Sequence, residues 1–225
     1  MSAPGAARVP WVVGVSGASG TPYAAAVLRG LIAAGQPVDL IVSRAARLTL
    51  LDETGISWHD DDASLRAWLG QSPEPTLEPT LPTVPEVAAA VPDVRFWGPA
   101  DLGAAPSSGS YRTRGMIVVP ASTASVAGIA LGLSKDLLQR GADVSLKERR
   151  PVVVVPREAP LTGATLRHLV ALDEAGAVIV PASPAFYPKP KGVQELVDFV
   201  AGKVLDVIGV EHDLFARWAG RLGAG

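Results

Sequence analysis

Short apolar runs alternate with helix-length amphipathic stretches along most of the chain. Trp11 to Val15 (WVVGV) and Val38 to Val42 (VDLIV) read as buried strands. Between them the apolar spacing predicts a helix from about Pro22 to Ala34, with Pro22 in the first turn and Gly35 as the stop. Ser43 is placed to cap a second helix running to about Glu53, and a short helix is expected over Ala63–Leu69. The pattern then fades into a proline-rich stretch and returns at Met116–Val119, a strand ending at Pro120. A Ser/Thr/Ala-rich helix over Ser122–Leu131 and an amphipathic helix from about Lys135 to Gln139 or beyond follow. Val152–Val155 is the plainest strand, short and wholly β-branched, as in a parallel sheet covered on both faces. A helix over Leu166–Glu174, a strand over Ala177–Val180 and a closing helix over Val193–Ile208 complete the pattern. Alternating strands and helices predict an α/β fold of three layers with a mostly parallel sheet and right-handed crossovers.

Composition narrows the function. The 225 residues fit one α/β domain, and a cysteine-free chain has no disulfide, thiolate metal site or Cys nucleophile. A formal charge of −2 argues against binding nucleic acid through bulk positive potential. No apolar run approaches the roughly 20 residues that span a bilayer, so no membrane segment is expected. No apolar signal-peptide core precedes the first charge, which makes the cytoplasm the expected location. The three histidines are scattered without metal spacing, and Asp60–Asp62 reads as a solvated acidic turn, so no metal site is expected. Eight of the 20 prolines lie between Pro73 and Pro106, and the region near 57–105 reads as a surface insertion in a single domain spanning 1–225.

Ligands of such sheets bind beyond the carboxyl ends of the strands. The loop Gly14–Gly20 (GVSGASG) after the first strand offers backbone N–H groups and hydroxyls to an anion, or forms a tight turn and nothing more. Ser43 and the segment Ser122-Thr123-Ala124-Ser125 follow two further strands; each serine alone reads as an N-cap, and together they point to a phosphorylated, ring-bearing ligand. Pro106–Ser110 is either a fourth contact or a linker. From Lys135 to Glu158 the chain carries six positive and four negative residues. Arg157 and Glu158 come straight after the apolar strand. There an arginine clamps phosphate and a carboxylate moves a proton, unless the two form a structural ion pair. Tyr187, in a proline-fixed loop after the last strand, offers a phenolic O–H to phosphate or serves as an aromatic plug.

These segments resemble the UbiX-type flavin prenyltransferases. The resemblance rests on Gly14–Gly20, Ser43–Ala46, Ala142–Pro151 (ADVSLKERRP), Val155–Pro160 (VPREAP), Pro184–Tyr187 and Asp213–Trp218, in order along the chain. It is interrupted only near 57–105. It implies a Rossmann-like flavoprotein fold binding FMN. It further implies a metal-independent reaction that joins a dimethylallyl group from dimethylallyl phosphate to N5 and C6 of reduced FMN. The product, prenylated FMN, would serve a UbiD-type decarboxylase.

Carried over by position, the resemblance implies FMN contacts at Gly17, Ala18, Ser19, Ser43, Ser122, Thr123, Ala124, Ser125 and Arg157. The prenyl phosphate would meet Arg140, Lys147, Arg157, Tyr187 and Lys203. Glu158 would be the acid–base residue, with Glu53 and Lys147 also catalytic. Lys203 stands where many members have Arg, which exchanges a fork for a point charge. Family members form large homo-oligomers, a dodecamer being expected, so Arg140, Tyr187 and Lys203 are candidates to act on a neighbour's site. Two alternatives compete with this reading. An FMN-dependent decarboxylase of the peptidyl-cysteine type needs a His base after the first helix and a Pro-x-Met-Asn motif, where this chain has Pro120-Ala-Ser-Thr. A non-catalytic FMN-binding partner of a decarboxylase has no use for Glu158, Lys147 and Tyr187 together.

Overall fold

The computed structural model describes residues 8–71, 93–218 and 220. Its strands form one six-stranded, wholly parallel sheet in the order β3-β2-β1-β4-β5-β6. The strands are β1 (Trp11–Val15), β2 (Val38–Val42), β3 (Val94–Phe96), β4 (Gly115–Ala121), β5 (Val152–Pro156) and β6 (Ala177–Ile179). The helices are α1 (Thr21–Ala33), α2 (Arg44–Thr54), α3 (Asp62–Leu69), α4 (Thr123–Ala130), α5 (Leu137–Lys147), α6 (Gly163–Glu174) and α7 (Val193–Val207).

The four central strands are buried along their whole length, as their near-continuous apolar sequences require. Side chains alternate between faces. Val13, Val15, Leu40, Val42, Ile117 and Val153 pack beneath α1, α3 and α7, whereas Val12, Ile41, Met116, Val118, Val152 and Val154 pack beneath α4, α5 and α6. Helix α1 lies between the sheet and α7 and is buried nearly all round, which explains its lack of a polar face. Among the described residues no helix is long and apolar enough to cross a membrane.

Strand β3 has no counterpart in the apolar pattern. Its three residues are only partly buried at the sheet edge, and they become a strand through the register Val38–Val94 to Leu40–Phe96. The flanks of the stretch expected to be a surface insertion are therefore built into the fold. Trp58 and Trp68 are buried edge to face with centroids 5.7 Å apart, and α3 packs on α1. Residues 72–92, with six of the eight prolines between Pro73 and Pro106, lie outside the described residues. Nor is Asp60–Asp62 simply a solvated turn. Asp60 pairs with Arg47 at 2.6 Å and accepts the Trp58 indole N–H, and Asp61 caps α3 by accepting the Ser64 N–H at 2.8 Å. Helix α5 begins two residues later than expected because Asp136 caps it.

A buried ion pair closes the amino edge of the sheet. Asp39, fully buried in β2, accepts from Arg8 at 2.6 Å and from the Tyr111 hydroxyl at 2.9 Å. Arg8 also reaches the Val38 carbonyl and Asp93, so one guanidinium ties the residues before β1 to β2 and to the start of β3.

Candidate active site

Strands β1 and β4 are neighbours, but the chain leaves them toward opposite sides of the sheet. The crevice between their carboxyl ends is where such sheets bind ligands. Three loops meet there. Ser43, whose N–H reaches the Val15 carbonyl at 2.9 Å, caps α2 by accepting the Ala46 N–H at 3.1 Å. Ser122 caps α4 through the Ser125 N–H at 3.3 Å, and the two hydroxyls lie 3.2 Å apart. Both serines are thus N-caps as well as edge residues. Thr123 is half-buried and Ala124 exposed beside them. Gly17 lies so close to the start of α2 that a Cβ on it would sit 2.3 Å from the Ala45 Cβ. Ala18 is buried, and Ser19 is open to solvent.

The N-terminus of α1 already holds an anion. Gly20, at φ 108°, has no side chain to cap the helix. The carboxylate of Glu53, from the last turn of α2, takes that place. It accepts the Gly20 N–H at 2.8 Å, the Thr21 N–H at 2.9 Å and the Thr21 hydroxyl at 2.6 Å. Partial burial opposes the charge of Glu53. The hydrogen bonds from Thr21, Ser19 and the two backbone amides outweigh it and hold the carboxyl below its ordinary pKa.

Arg157 follows β5 at the same edge. Its Nε donates to the Ser19 carbonyl at 2.9 Å, and its backbone N–H reaches the Ala121 carbonyl at 3.3 Å. Among the described residues no other partner engages the guanidinium, so its terminal nitrogens are available to an anion. Glu158 is exposed, with Oε1 accepting the Ala159 N–H at 3.1 Å. Arg157 and Glu158 form no ion pair with each other, which sets aside the structural alternative for these two residues.

Tyr187 and Lys203 are joined by the C-terminal segment, which folds back along α7. Tyr187 is half-exposed and meets Phe199 and Trp218 edge to face, with centroids 5.9 and 5.8 Å away. It belongs to an aromatic cluster while its ring edge remains open. Lys203 lies 3.4 Å from Asp206, which also binds Arg217 at 2.8 Å and His212 at 3.1 Å. Burial opposes charge on Asp206, but hydrogen bonds from Arg217 and His212 and their charges keep its carboxyl below the ordinary range. Arg217 had no assigned role in the sequence, though it falls within the Asp213–Trp218 segment.

Arg140 and Lys147 are elsewhere. Both lie on α5, on the other face of the sheet from α7. Arg140 pairs with Asp143 at 2.7 Å and donates to the Ser107 carbonyl. Lys147 pairs with Glu148 and lies against Gly109, whose carbonyl is held by Arg150. Arg150 also binds the Tyr111 carbonyl, and the Tyr111 hydroxyl reaches Asp39 near the start of β2. Lys147 is therefore near the amino edge, whereas Arg157 is at the carboxyl edge, with the length of β5 (about 13 Å) between the two edges. One chain does not gather the five expected phosphate ligands. The Pro106–Ser110 loop runs with α5, away from the Gly/Ser loop.

Ser16, the other serine of the Gly14–Gly20 loop, has no individual assignment among the expected FMN contacts. Ser16 is 1% exposed and binds β4's end from within the crevice. Among the described residues no group of three or more His, Cys, Asp or Glu side chains is arranged to hold a metal ion.

Comparison with known proteins gives a consistent result. The Flavoprotein family model matches residues 5–205. The flavin prenyltransferase UbiX of Streptomyces coelicolor is 63% identical over 217 residues, covering 96% of this chain and 97% of that protein. That of Pseudomonas aeruginosa is 36% identical, covering 91% of each chain. Among solved structures, AnUbiX in complex with FMN and dimethylallyl pyrophosphate superposes with a TM-score of 0.78 at 34% identity, covering 96% of this chain and all of that one. A dodecameric FMN-dependent UbiX-like decarboxylase from Escherichia coli O157:H7 gives 0.76 at 37% identity, covering 94% of this chain and all of that one. A family model matched over residues 5–205, and 63% identity along almost the whole chain, place the protein in the flavoprotein family, among the UbiX flavin prenyltransferases.

Proposed function

We propose that this chain joins a dimethylallyl group from a prenyl phosphate to reduced FMN. The observation that carries the reading is its 63% identity, over 96% of its length, to a flavin prenyltransferase. The crevice fits the flavin substrate. Gly17 lacks the side chain that the approach of α2 excludes, the capped ends of α2 and α4 face the edge, and Arg157 keeps two nitrogens for an anion. We assign FMN to Gly17, Ala18, Ser19, Ser43, Ser122–Ser125 and Arg157. Bound there, reduced FMN supplies the nucleophilic ring positions.

The protein's own groups do the rest. Separating an allylic group from phosphate places growing negative charge on the phosphate oxygens, which fixed cations stabilise more strongly than water does. Arg157 supplies such a charge at the crevice, and we assign Tyr187 and Lys203, before and on α7, to the same phosphate. Glu158, exposed beside Arg157, is positioned to carry a proton. Glu53, whose oxygens are taken by the start of α1, serves to hold Ser19–Thr21 in place. Lys147, at the amino edge and so remote from Arg157 in one chain, acts on the site of a neighbouring copy in a homo-oligomer, and we assign Arg140, on the same helix, to the same role. The dodecameric relative is the precedent. The product is handed to a UbiD-type decarboxylase, and the enzyme works in the cytoplasm.

The test is anaerobic incubation of purified protein with reduced FMN and dimethylallyl phosphate, followed by mass spectrometry of the released flavin. A flavin heavier by one five-carbon unit is the expected result. Unmodified FMN released from folded, flavin-loaded protein would refute the reading, and a parallel run with the pyrophosphate decides between the two donors.

A further inference from the structure

Ser16 has no role in the chemistry just described, yet it occupies the middle of the crevice floor. Its backbone N–H donates to the Pro120 carbonyl at 3.2 Å, its hydroxyl donates to the same carbonyl at 2.9 Å, and its Oγ accepts the Ser122 N–H at 2.7 Å. The residue is 1% exposed. The β1–β4 ladder ends at the pair Gly14–Val118, so beyond it these three bonds are what join the two strands' loops. The loop on one side carries Gly17, Ala18 and Ser19; the residue on the other, Ser122, caps α4 and begins the Ser122–Ser125 segment.

We infer that Ser16 is a positioning residue for flavin binding, setting the separation and register of the two loops that hold FMN. The inference rests on the proposed FMN site. The physical reason is the fate of the Ser122 N–H. As the N-cap residue of α4, Ser122 offers no intrahelical acceptor to its own N–H. With the Ser16 hydroxyl removed, that N–H and the second lone pair of Pro120 lose their partner in a stretch where Val15, Val119 and Ala121 are each buried. In the free protein the loops relieve this by parting and admitting water. Binding FMN across both loops then requires them to close again over an unpaired donor. Ligand affinity falls by the difference between the two states.

Three substitutions separate the hydroxyl from side-chain volume. Ser16→Ala removes it, while Ser16→Thr and Ser16→Val are equal in shape and differ in that the first keeps the hydroxyl and the second does not. Val13→Ala, a cavity in β1, the strand that precedes Ser16, is the control for lost stability. The readout is the Kd of oxidised FMN for purified apoprotein, from quenching of flavin fluorescence, with visible circular dichroism of the bound flavin. Ser16→Ala and Ser16→Val are expected to raise Kd about tenfold to a hundredfold. Ser16→Thr is expected to stay near wild type, and Val13→Ala to lower Tm without moving Kd. The inference is overturned if Ser16→Val and Ser16→Thr bind FMN equally, or if Val13→Ala weakens binding as much as Ser16→Ala. Failure of the wild type to bind FMN would instead overturn the proposed site itself.

Discussion

Glu53 offers the sharpest test of the local physics, because its task as a helix cap is separable from any task in the reaction. Glu53→Gln keeps size and shape but replaces one oxygen by an NH2 group and removes the charge. In the wild type both oxygens accept, one from the Gly20 N–H and the other from the Thr21 N–H and hydroxyl. Glutamine satisfies one backbone amide and sets a donor against the other. Gly20 cannot compensate, having no side chain. The loss combines a missing N-cap interaction with the interaction of a carboxylate with the α1 dipole. Because the site is open to water on one side, solvent takes up part of each, leaving about 1–2 kcal/mol. For a chain of this size that corresponds to a fall in Tm of about 2–8 °C.

The pH dependence carries a sign. The folded-state pKa of Glu53 lies below its ordinary value, so the ionised form favours the folded protein. Its contribution is fully present above the unfolded-state pKa, near neutrality, and is lost as pH falls through the folded-state value. Wild type and Glu53→Gln should therefore differ in Tm at pH 7 and converge in acid. The assay is thermal unfolding by circular dichroism across that range, at low and high salt. Equal Tm values at pH 7, or a gap of the same size at acid and neutral pH, would refute the capping argument.

Three other perturbations probe separate parts of the molecule. Gly17→Ala places a Cβ 2.3 Å from that of Ala45 and 3.0 Å from its backbone carbon. The loop must move, at a cost of about 1–3 kcal/mol in stability and with loss of FMN affinity, both read by melting with and without flavin. Arg8→Met leaves the fully buried Asp39 with only the Tyr111 hydroxyl, and should destabilise by about 3–5 kcal/mol in urea unfolding. Glu158→Gln should retain FMN by fluorescence yet lose turnover in the mass assay; full activity would remove its proton-transfer role.

The strands were legible because four of them are buried on both faces and so read as unbroken apolar runs. Strand β3 was not, since Val94–Phe96 is partly exposed and exists through its pairing with β2. The crevice was legible for a related reason: glycines and capping serines announce strand–helix turns in local sequence. What local sequence cannot announce is a partner far along the chain. Glu53 caps α1 from 32 residues away, Arg8 neutralises Asp39 from 31 away, and Ser16 holds Ser122 from 106 away. Asp39 in particular looks like an ordinary polar position of an alternating strand until Arg8 and Tyr111 are seen around it. The cations after β4 were legible as a cluster, but their spacing along α5 and β5 conceals that Lys147 and Arg157 belong to opposite edges of the sheet.

That separation has a consequence for how the site works. A phosphate leaving an allylic carbon needs several cations on one side of it, and a single chain brings only part of that set to the crevice. Lys203 and Arg217 also share the carboxylate of Asp206, which offsets some of their charge until a phosphate competes for them. Lys147 is paired with Glu148 in the same manner. Leu131 and Leu133 beyond α4, Leu166 and Val170 on α6, and Phe186 beside Tyr187 are between 48% and 72% exposed, far more apolar area than these elements need to leave uncovered. Apolar contact between copies through such surfaces would bring the α5 cations of one chain to the crevice of another. On the proposed assignment, assembly would do two things at once: cover the leucines and complete the phosphate site. An isolated chain should accordingly keep its affinity for FMN, which rests on its own loops, while losing affinity for the prenyl phosphate. Dilution below the assembly threshold, with both affinities measured, separates these outcomes, and equal loss of both would show that the crevice itself depends on the neighbour.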